Sequence, residues 1–397
     1  MKNSIVVVGL GYVGLPVATA AAKSGSFVVG IDLNQEKIFK INNGQSPIED
    51  VKNSEISEVV ELGRLKASSD FSLVKQADVI LICVPTPLKS NHTPDLEPLE
   101  SAVKSISENL REGALIILES TVAPGTTRNF LVPLIEKYSA VDIASVDVVF
   151  SPERIDPLNK TWNLKNTPKI VAGLTPKSTK RAVNFYSKFV DKIIESENVE
   201  VAETAKLLEN SFRLINISFI NELSKFCQRL GIEVNDVINA AATKPYGFMP
   251  FYPSVGVGGH CIPVDPLYLA NKALEIGTPL RMINLADQVN REMPEYFVTQ
   301  AKEKLGGLIG KKILVVGVAY KPNVADIRET PVQALIVGLK DQGAKVFWHD
   351  ELIQEWNGEK SVALSSDFDL AIIATPHDYL DLTKLVNVPI LNTRGSI

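Results

Sequence analysis

The chain has 397 residues, too many for one hydrophobic core, so two or three domains are expected. A content of 45% hydrophobic and 22% charged residues, with 24 Gly and 23 Pro spread along the chain, excludes a disordered, collagenous or coiled-coil polypeptide. Forty-one basic against 46 acidic residues give a net charge of −5 without a long Lys/Arg run, which argues against a nucleic-acid partner.

No apolar stretch approaches the ~20 residues of a membrane span, and the N-terminus enters a strand-like run without a signal-peptide pattern. A cytoplasmic protein with no membrane partner is expected. Three cysteines, Cys83, Cys227 and Cys261, are too few and too scattered for a disulfide framework or a metal cluster, so no metal site is expected.

In chain order, residues 4–8 form a short β-branched run. Gly9-Leu10-Gly11-Tyr12-Val13-Gly14 follows, and then helix formers from Leu15 to Lys23, which reads as strand, tight turn, helix. A second run, Phe27 to Ile31, ends at Asp32. Further strand-like runs are Val79–Val84, Leu115–Leu118, Val146–Phe150 and Lys169–Ala172, each closed by turn residues and separated by helical patterns. The character changes near Val199: from Val201 to about Leu230 Leu207, Leu208, Phe212, Ile215, Phe219, Leu223 and Phe226 recur at three- and four-residue steps, predicting a long buried or interfacial helix ended by Gly231. A glycine-rich segment, Tyr246 to Pro266, precedes more helix to about Leu305. Strand patterns return at Ile313–Val316, Val346–Trp348 and Leu370–Ala374. The expected fold is α/β: two Rossmann-like parallel-sheet domains, 1–198 and 306–397, joined by a central helical region, 199–305, that contains the long helix.

Each glycine of Gly9, Gly11 and Gly14 has a mechanical reason in a dinucleotide-binding turn: a tight bend, backbone approach to pyrophosphate, and close helix–strand packing. Asp32, closing the second strand, can accept hydrogen bonds from both adenine-ribose hydroxyls and repels a 2′-phosphate, favouring NAD over NADP. Lys37 is close enough in sequence to help at ribose or phosphate; an exposed helix lysine is the alternative. In Gly256-Val257-Gly258-Gly259-His260-Cys261-Ile262-Pro263-Val264-Asp265-Pro266 a thiol stands four residues before a carboxylate in a glycine-rich loop, where backbone can approach a substrate. A merely buried thiol is the competing reading there, and is the preferred one for Cys83 and Cys227. Lys206 and Asn210 share one helix face, and Thr121 and Glu153 both follow strand runs, at the ends where ligands of open α/β sheets collect. Glu153 with Arg154 as a turn ion pair is the alternative. His260 is not read as a base for Cys261, because adjacent residues of an extended chain point apart.

These motifs, together with Val84-Pro85-Thr86-Pro87, the stretch Glu119 to Thr127, Ser151-Pro152-Glu153-Arg154, Ala205 to Asn210, Tyr320-Lys321-Pro322 and Asp326 to Thr330, occur in the order and spacing of the UDP-glucose/GDP-mannose dehydrogenase family, which the chain resembles from residue 3 to about 394. Ser151 to Pro157, Lys244 to Phe248 and the Cys261 loop look most like the branch acting on UDP-N-acetylglucosamine. Two departures from the glucose branch agree with this: Val264 stands where Lys is common, and Ile155-Asp156-Pro157 follows Arg154.

The resemblance implies oxidation of a sugar C6 alcohol to a carboxylate with two NAD reduced, for a surface-polysaccharide precursor. It implies cofactor contacts from Gly9, Gly11, Tyr12, Val13, Gly14, Asp32, Lys37, Pro85, Thr86, Thr121 and Arg328. UDP-sugar contacts are implied from Glu153, Arg154, Lys206, Asn210, Gly258, Lys321 and Arg394, with Phe251 and Tyr252 packing on uracil or sugar. Lys206 and Asp265 are candidate bases, acting directly or through water held by Thr121 and Asn210; Cys261 is the nucleophile toward the aldehyde, and Glu153 takes part in thioester hydrolysis. A homodimer through the long helix is expected. The competing readings are a UDP-N-acetylmannosamine or UDP-glucose dehydrogenase, an ordinary two-electron alcohol dehydrogenase, and a non-catalytic nucleotide-sugar binding homologue.

Overall fold

The computed structural model describes residues 4–156 and 158–395, so Pro157 of the motif above lies outside the described residues. The chain forms two compact units, Met1–Leu208 and Glu209–Ile397, and their boundary falls inside one helix, Val199–Leu230.

In the first unit eight strands form one sheet: β1 (Ser4–Val8), β2 (Phe27–Ile31), β3 (Leu65–Ser68), β4 (Val79–Ile82), β5 (Leu115–Leu118), β6 (Asp147–Phe150), β7 (Lys169–Gly173) and β8 (Ile193–Glu195), in the order 3-2-1-4-5-6-7-8. Alternation of side chains along each strand splits the apolar residues between two cores. Ile5 and Val7 of β1 with Leu115 and Ile117 of β5 belong to one, Val6, Val8, Ile116 and Leu118 to the other. That is why these runs are continuously apolar: both faces are covered by helices. The strand order reverses between β1 and β4, so a crevice opens beyond their C-terminal ends.

The pairing of β6 with β7 is antiparallel, which corrects the expectation of a wholly parallel sheet. The reason is local. After β6 the chain passes through the loop carrying Glu153 and returns directly alongside the same strand, without a crossover helix between them.

The second unit has a smaller, wholly parallel sheet in the order 10-9-13-14, from β9 (Lys312–Val316), β10 (Lys345–His349), β13 (Leu370–Ile373) and β14 (Ile390–Asn392). A two-stranded hairpin, β11 (Glu355–Trp356) and β12 (Glu359–Lys360), stands apart from it. The same face alternation recurs, with Ile313 and Val315 in one core and Leu314 and Val316 in the other. The long helix begins two residues before the expected Val201, and Gly231 at φ +76° follows its last residue. No helix among the described residues is long and apolar enough to cross a membrane.

Candidate active site

At the crevice of the first sheet the glycines act as their spacing requires. Gly9 has φ +94°, donates its N–H to the Ile31 carbonyl at 2.7 Å, and would place a Cβ 2.5 Å from the Cys83 carbonyl oxygen. A Cβ on Gly14 would lie 1.8 Å from the Gly9 carbonyl oxygen, whereas one on Gly11 would meet nothing within 4 Å. Gly9 and Gly14 therefore close the turn and Gly11 leaves its outer side open, a cradle that fits a pyrophosphate at the start of the helix Gly14–Lys23. Asp32 takes the Leu10 N–H on Oδ2 at 2.9 Å and the Asn34 N–H on Oδ1 at 2.9 Å, and Lys37 Nζ stands 3.6 Å from it. Tyr12 and Val13 lie on this turn. Thr86 Oγ1 donates to the Thr121 carbonyl at 2.8 Å and Ser120 Oγ to the Val84 carbonyl at 2.7 Å, lacing together the loops after β4 and β5 that carry Pro85, Thr86 and Thr121. These residues fit NAD.

Beyond β6, Glu153 is 8% exposed and Lys206 of the long helix 5%. Lys206 Nζ donates to Glu153 Oε1 at 2.6 Å, and the Ile155 N–H reaches Oε2 at 2.7 Å. Burial pushes the Glu153 carboxyl up, but the charge and hydrogen bond of Lys206, the Ile155 N–H and the charge of Lys169 together bring it below the ordinary carboxylate range. Glu153 thus pairs with Lys206, and the alternative of a turn pair with Arg154 is set aside: Arg154 Nη1 donates instead to the Pro168 carbonyl at 2.8 Å. Three residues before Lys206, buried Glu203 accepts from the N–H groups of Gly125 and Thr127 at 2.6 and 2.8 Å, fixing the chain that follows Thr121. The sequence reading missed it, although its spacing from Lys206 puts it on the same helix face.

In the second unit the glycine-rich loop is pressed against its neighbours. A Cβ on Gly258 would come within 2.6 Å of the Glu329 carbonyl oxygen, and one on Gly259 within 2.8 Å of the Tyr320 ring. Two asparagines, also missed because helical Asn carries no motif, hold the loop: Asn221 accepts from Ser254 N–H at 2.9 Å and Asn290 from Val257 N–H at 2.7 Å. Cys261 follows, half-buried, with its carbonyl accepting from Asp265 N–H at 2.9 Å as the helix Asp265–Glu275 begins. Asp265 is 2% exposed and takes a hydrogen bond from Asn210 Nδ2 at 2.6 Å. The other two thiols are buried: Cys227 packs with Ile220, Val234 and Ile238, and burial followed by the Glu119 charge pushes the Cys83 thiol well up. His260 is exposed.

The loop after β9 repeats the first turn. Gly317, at φ +80°, donates to the His349 carbonyl at 2.8 Å, and Val318 N–H donates to Asp350 Oδ2 at 2.9 Å, as Leu10 does to Asp32. Here, however, the acid is covered, because His377 Nε2 lies 3.1 Å from Asp350 Oδ2. Nδ1 of the same ring accepts the Asn323 N–H at 2.9 Å, so the imidazole anchors the loop carrying Lys321. Arg328 is engaged with Asp326 of its own loop, Nε lying 2.9 Å from each carboxylate oxygen. Phe251 packs edge-on against Phe212 at 5.8 Å and on the Cys227 cluster, while Tyr252 is exposed. Arg394 is held through its carbonyl by Asn235, and its Nε is buried without a hydrogen-bond partner. Beside it Asn392, Thr393 and Gly395 line a cavity of about 570 Å³ with Pro253, Tyr296 and Phe297, a size typical of small-molecule sites.

Sequence models of the UDP-glucose/GDP-mannose dehydrogenase family match nearly the whole chain: the NAD binding domain at residues 3–190, the central domain at 200–292 and the UDP binding domain at 314–392. The UDP-N-acetyl-D-glucosamine 6-dehydrogenase of Pseudomonas aeruginosa is 37% identical over 355 residues, 87% of this chain and 82% of that protein. The UDP-N-acetyl-D-mannosamine dehydrogenase of Campylobacter jejuni is 36% identical over 351 residues, 86% and 84% of the two chains. The solved structure of a UDP-D-ManNAc dehydrogenase from Pyrococcus horikoshii matches with a TM-score of 0.91 at 32% identity, covering 98% of this chain and 95% of that one.

Proposed function

Since the chain belongs to the UDP-glucose/GDP-mannose dehydrogenase family and is an NAD-dependent UDP-sugar dehydrogenase, we propose that it oxidises the C6 alcohol of a UDP-N-acetylhexosamine, UDP-N-acetylglucosamine before its epimers, to the uronic acid. When bound, NAD accepts the hydride in each of two successive oxidations. Gly9, Gly11, Tyr12, Val13, Gly14, Asp32, Lys37, Pro85 and Thr86 hold it, with Thr121 and Arg328 as further contacts.

The chain's own residues manage protons and the carbonyl carbon. The alcohol proton leaves to Asp265, directly or through a water held by Thr121 and Asn210, and Lys206 serves as the acceptor only in its neutral form. The thiolate of Cys261 then adds to the C6 aldehyde, forming a C–S bond, and the alkoxide so formed is protonated to a thiohemiacetal. Loss of the second hydride and a proton leaves a thioester. Water adds to it with Glu153 taking part, the C–S bond breaks, the thiol is restored and the acid departs. Lys206 and Asn210 stabilise the oxyanions on the way. Arg154, Lys321, Arg394 and the backbone at Gly258 bind the UDP-sugar, with Tyr252 and Phe251 packing on uracil or sugar.

The observation that carries this reading is the setting of Cys261. Of the three cysteines it alone is not buried, and it stands at the start of a helix beside the Asn210–Asp265 pair. The test is NADH formation on a panel of UDP-sugars that includes the N-acetylglucosamine, N-acetylmannosamine and glucose forms. Two NADH per sugar consumed, fastest on UDP-N-acetylglucosamine, is expected; one NADH per sugar would point to a simple alcohol dehydrogenase, and none on any sugar to a binding homologue. Cys261→Ser should fold and bind both ligands yet release no acid, and unchanged steady turnover in it would remove the thioester. We place the reaction in the cytoplasm, supplying surface-polysaccharide synthesis, in a homodimer formed through the long helix.

A further inference from the structure

Three side chains of the first unit are buried together and take no part in the reaction above: Glu119, Lys169 and Tyr186, exposed by 1%, 4% and 0%. Lys169 Nζ lies 3.0 Å from Glu119 Oε2, the Tyr186 hydroxyl donates to Oε1 of the same carboxylate, and the ammonium sits 4.7 Å from the centre of the Tyr186 ring. Desolvating two ions consumes most of their mutual attraction, so an apolar trio of similar volume would hold the fold as well. What distinguishes the charged version is what it reaches. Lys169 Nζ lies 3.4 Å from the carbonyl oxygen of Pro152, the residue immediately before Glu153. Lys169 and Glu153 line one small pocket with Arg154 and Pro168, and Ser151 Oγ ties the same turn to the Ile170 carbonyl at 2.8 Å.

We propose that Lys169, held by Glu119 and Tyr186, is a positioning residue for Glu153: it fixes the Pro152–Glu153 turn and supplies a second cation, besides Lys206, that keeps the Glu153 carboxylate ionised. The inference rests on the hydrolytic role given to Glu153. The charged and titratable groups around this carboxylate are Lys206 from the long helix, Lys169 from β7, Arg154 of its own turn, which donates to the Pro168 carbonyl, Glu119 behind it just after β5, and Cys83 after β4. The Cys83 thiol and the Tyr186 hydroxyl behind them are both pushed well up, first by burial and then by Glu119, and so stay protonated. The cations that oppose protonation of Glu153, beside the Ile155 N–H on Oε2, are therefore the two lysines, and Lys169 contributes to its lowering.

The experiment compares the full-length enzyme with Lys169→Met, Lys169→Arg and the double variant Glu119→Gln/Lys169→Met, which buries no charge. The readouts are the pH profile of kcat, the KM for the UDP-sugar that is turned over, and the mass of any acyl-enzyme. Loss of one cation raises the carboxyl of Glu153, so the acid limb should move upward by about one pH unit in Lys169→Met, with about tenfold lower kcat on the acid side, and by less in the double variant, which also removes the Glu119 anion. KM should change by less than about twofold while acyl-enzyme accumulates, and Lys169→Arg should restore the limb. An unmoved limb in either folded Met variant overturns the proposal, as does a loss of kcat equal at every pH. Failure of both Met variants to fold overturns it in favour of a purely architectural role. Glu153→Gln separates the two levels: retained turnover in that variant sinks the role of Glu153 itself, whereas an inactive Glu153→Gln beside an unmoved limb sinks only the assignment of Lys169.

Discussion

A Cβ on Gly14 would sit 1.8 Å from a carbonyl oxygen, a distance no local adjustment removes, so the first turn and its helix must part if one is added. Gly14→Ala should weaken NAD binding at least about tenfold in calorimetry while UDP still binds, and intact NAD affinity would contradict the assignment of this turn. Buried charge sets a second outcome. Lys206→Met leaves Glu153 without its partner at side-chain exposure near 10%, a change that costs about 3–5 kcal/mol when a buried pair is broken from one side. The folded carboxyl lies below its ordinary value, so its contribution to stability is complete above the unfolded pKa of about 4.3 and is lost as pH falls through the lower folded value. Denaturant unfolding should therefore show the gap between wild type and Lys206→Met at pH 7, narrowing below pH ~4. Cys261, Glu153, Lys206 and Asp265 were legible as reactive residue types in motifs. Lys169 was not, because a lysine opening an apolar strand reads as a solvated strand end until its partner 50 residues earlier is seen folded against it.

The long helix makes the parallel point for elements. Its apolar spacing was visible in the sequence, but spacing alone does not say whether a stripe faces its own core or a second chain. In the structure Leu207 and Leu214 are buried, while Phe212, Phe219 and Phe226, seven residues apart, are exposed by 46%, 60% and 60%, with Leu208 and Leu230 also at 60%. An exposed aromatic row of this kind on one helix fits a partner helix, as the proposed homodimer requires. Light scattering should give a dimer at micromolar concentration, and Phe219→Asp should give a monomer whose NAD affinity is unchanged; a monomeric wild type removes the dimer. The antiparallel β7 was illegible for a related reason, since the hydrophobic pattern of a doubly covered strand is the same in either direction.

Across the whole molecule the same turn appears twice with different availability. Asp32 keeps its place at an open crevice, whereas Asp350 is closed off by His377, a difference that agrees with the ribose-binding role proposed for Asp32. NAD and UDP should each raise the melting temperature by mass action, worth about 2.7 kcal/mol at a hundredfold excess over Kd. Asp32→Ala should abolish the NAD shift and leave that of UDP, and loss of both would mean that the acid has only a structural part. The sequence by itself determined the long apolar strands, the glycine turn, the long helix and which cysteine stands in a glycine-rich loop, because alternation, glycine geometry and helix periodicity act over fewer than about 20 residues, while short strands such as Leu65–Ser68 and Ile390–Asn392 left no such pattern. The pairing of the buried polar and charged side chains was decided only by the tertiary structure. Glu119 meets Lys169, Glu153 meets Lys206 and Asn210 meets Asp265 across separations of 50, 53 and 55 residues, and no local preference of the chain selects one partner over another at that range.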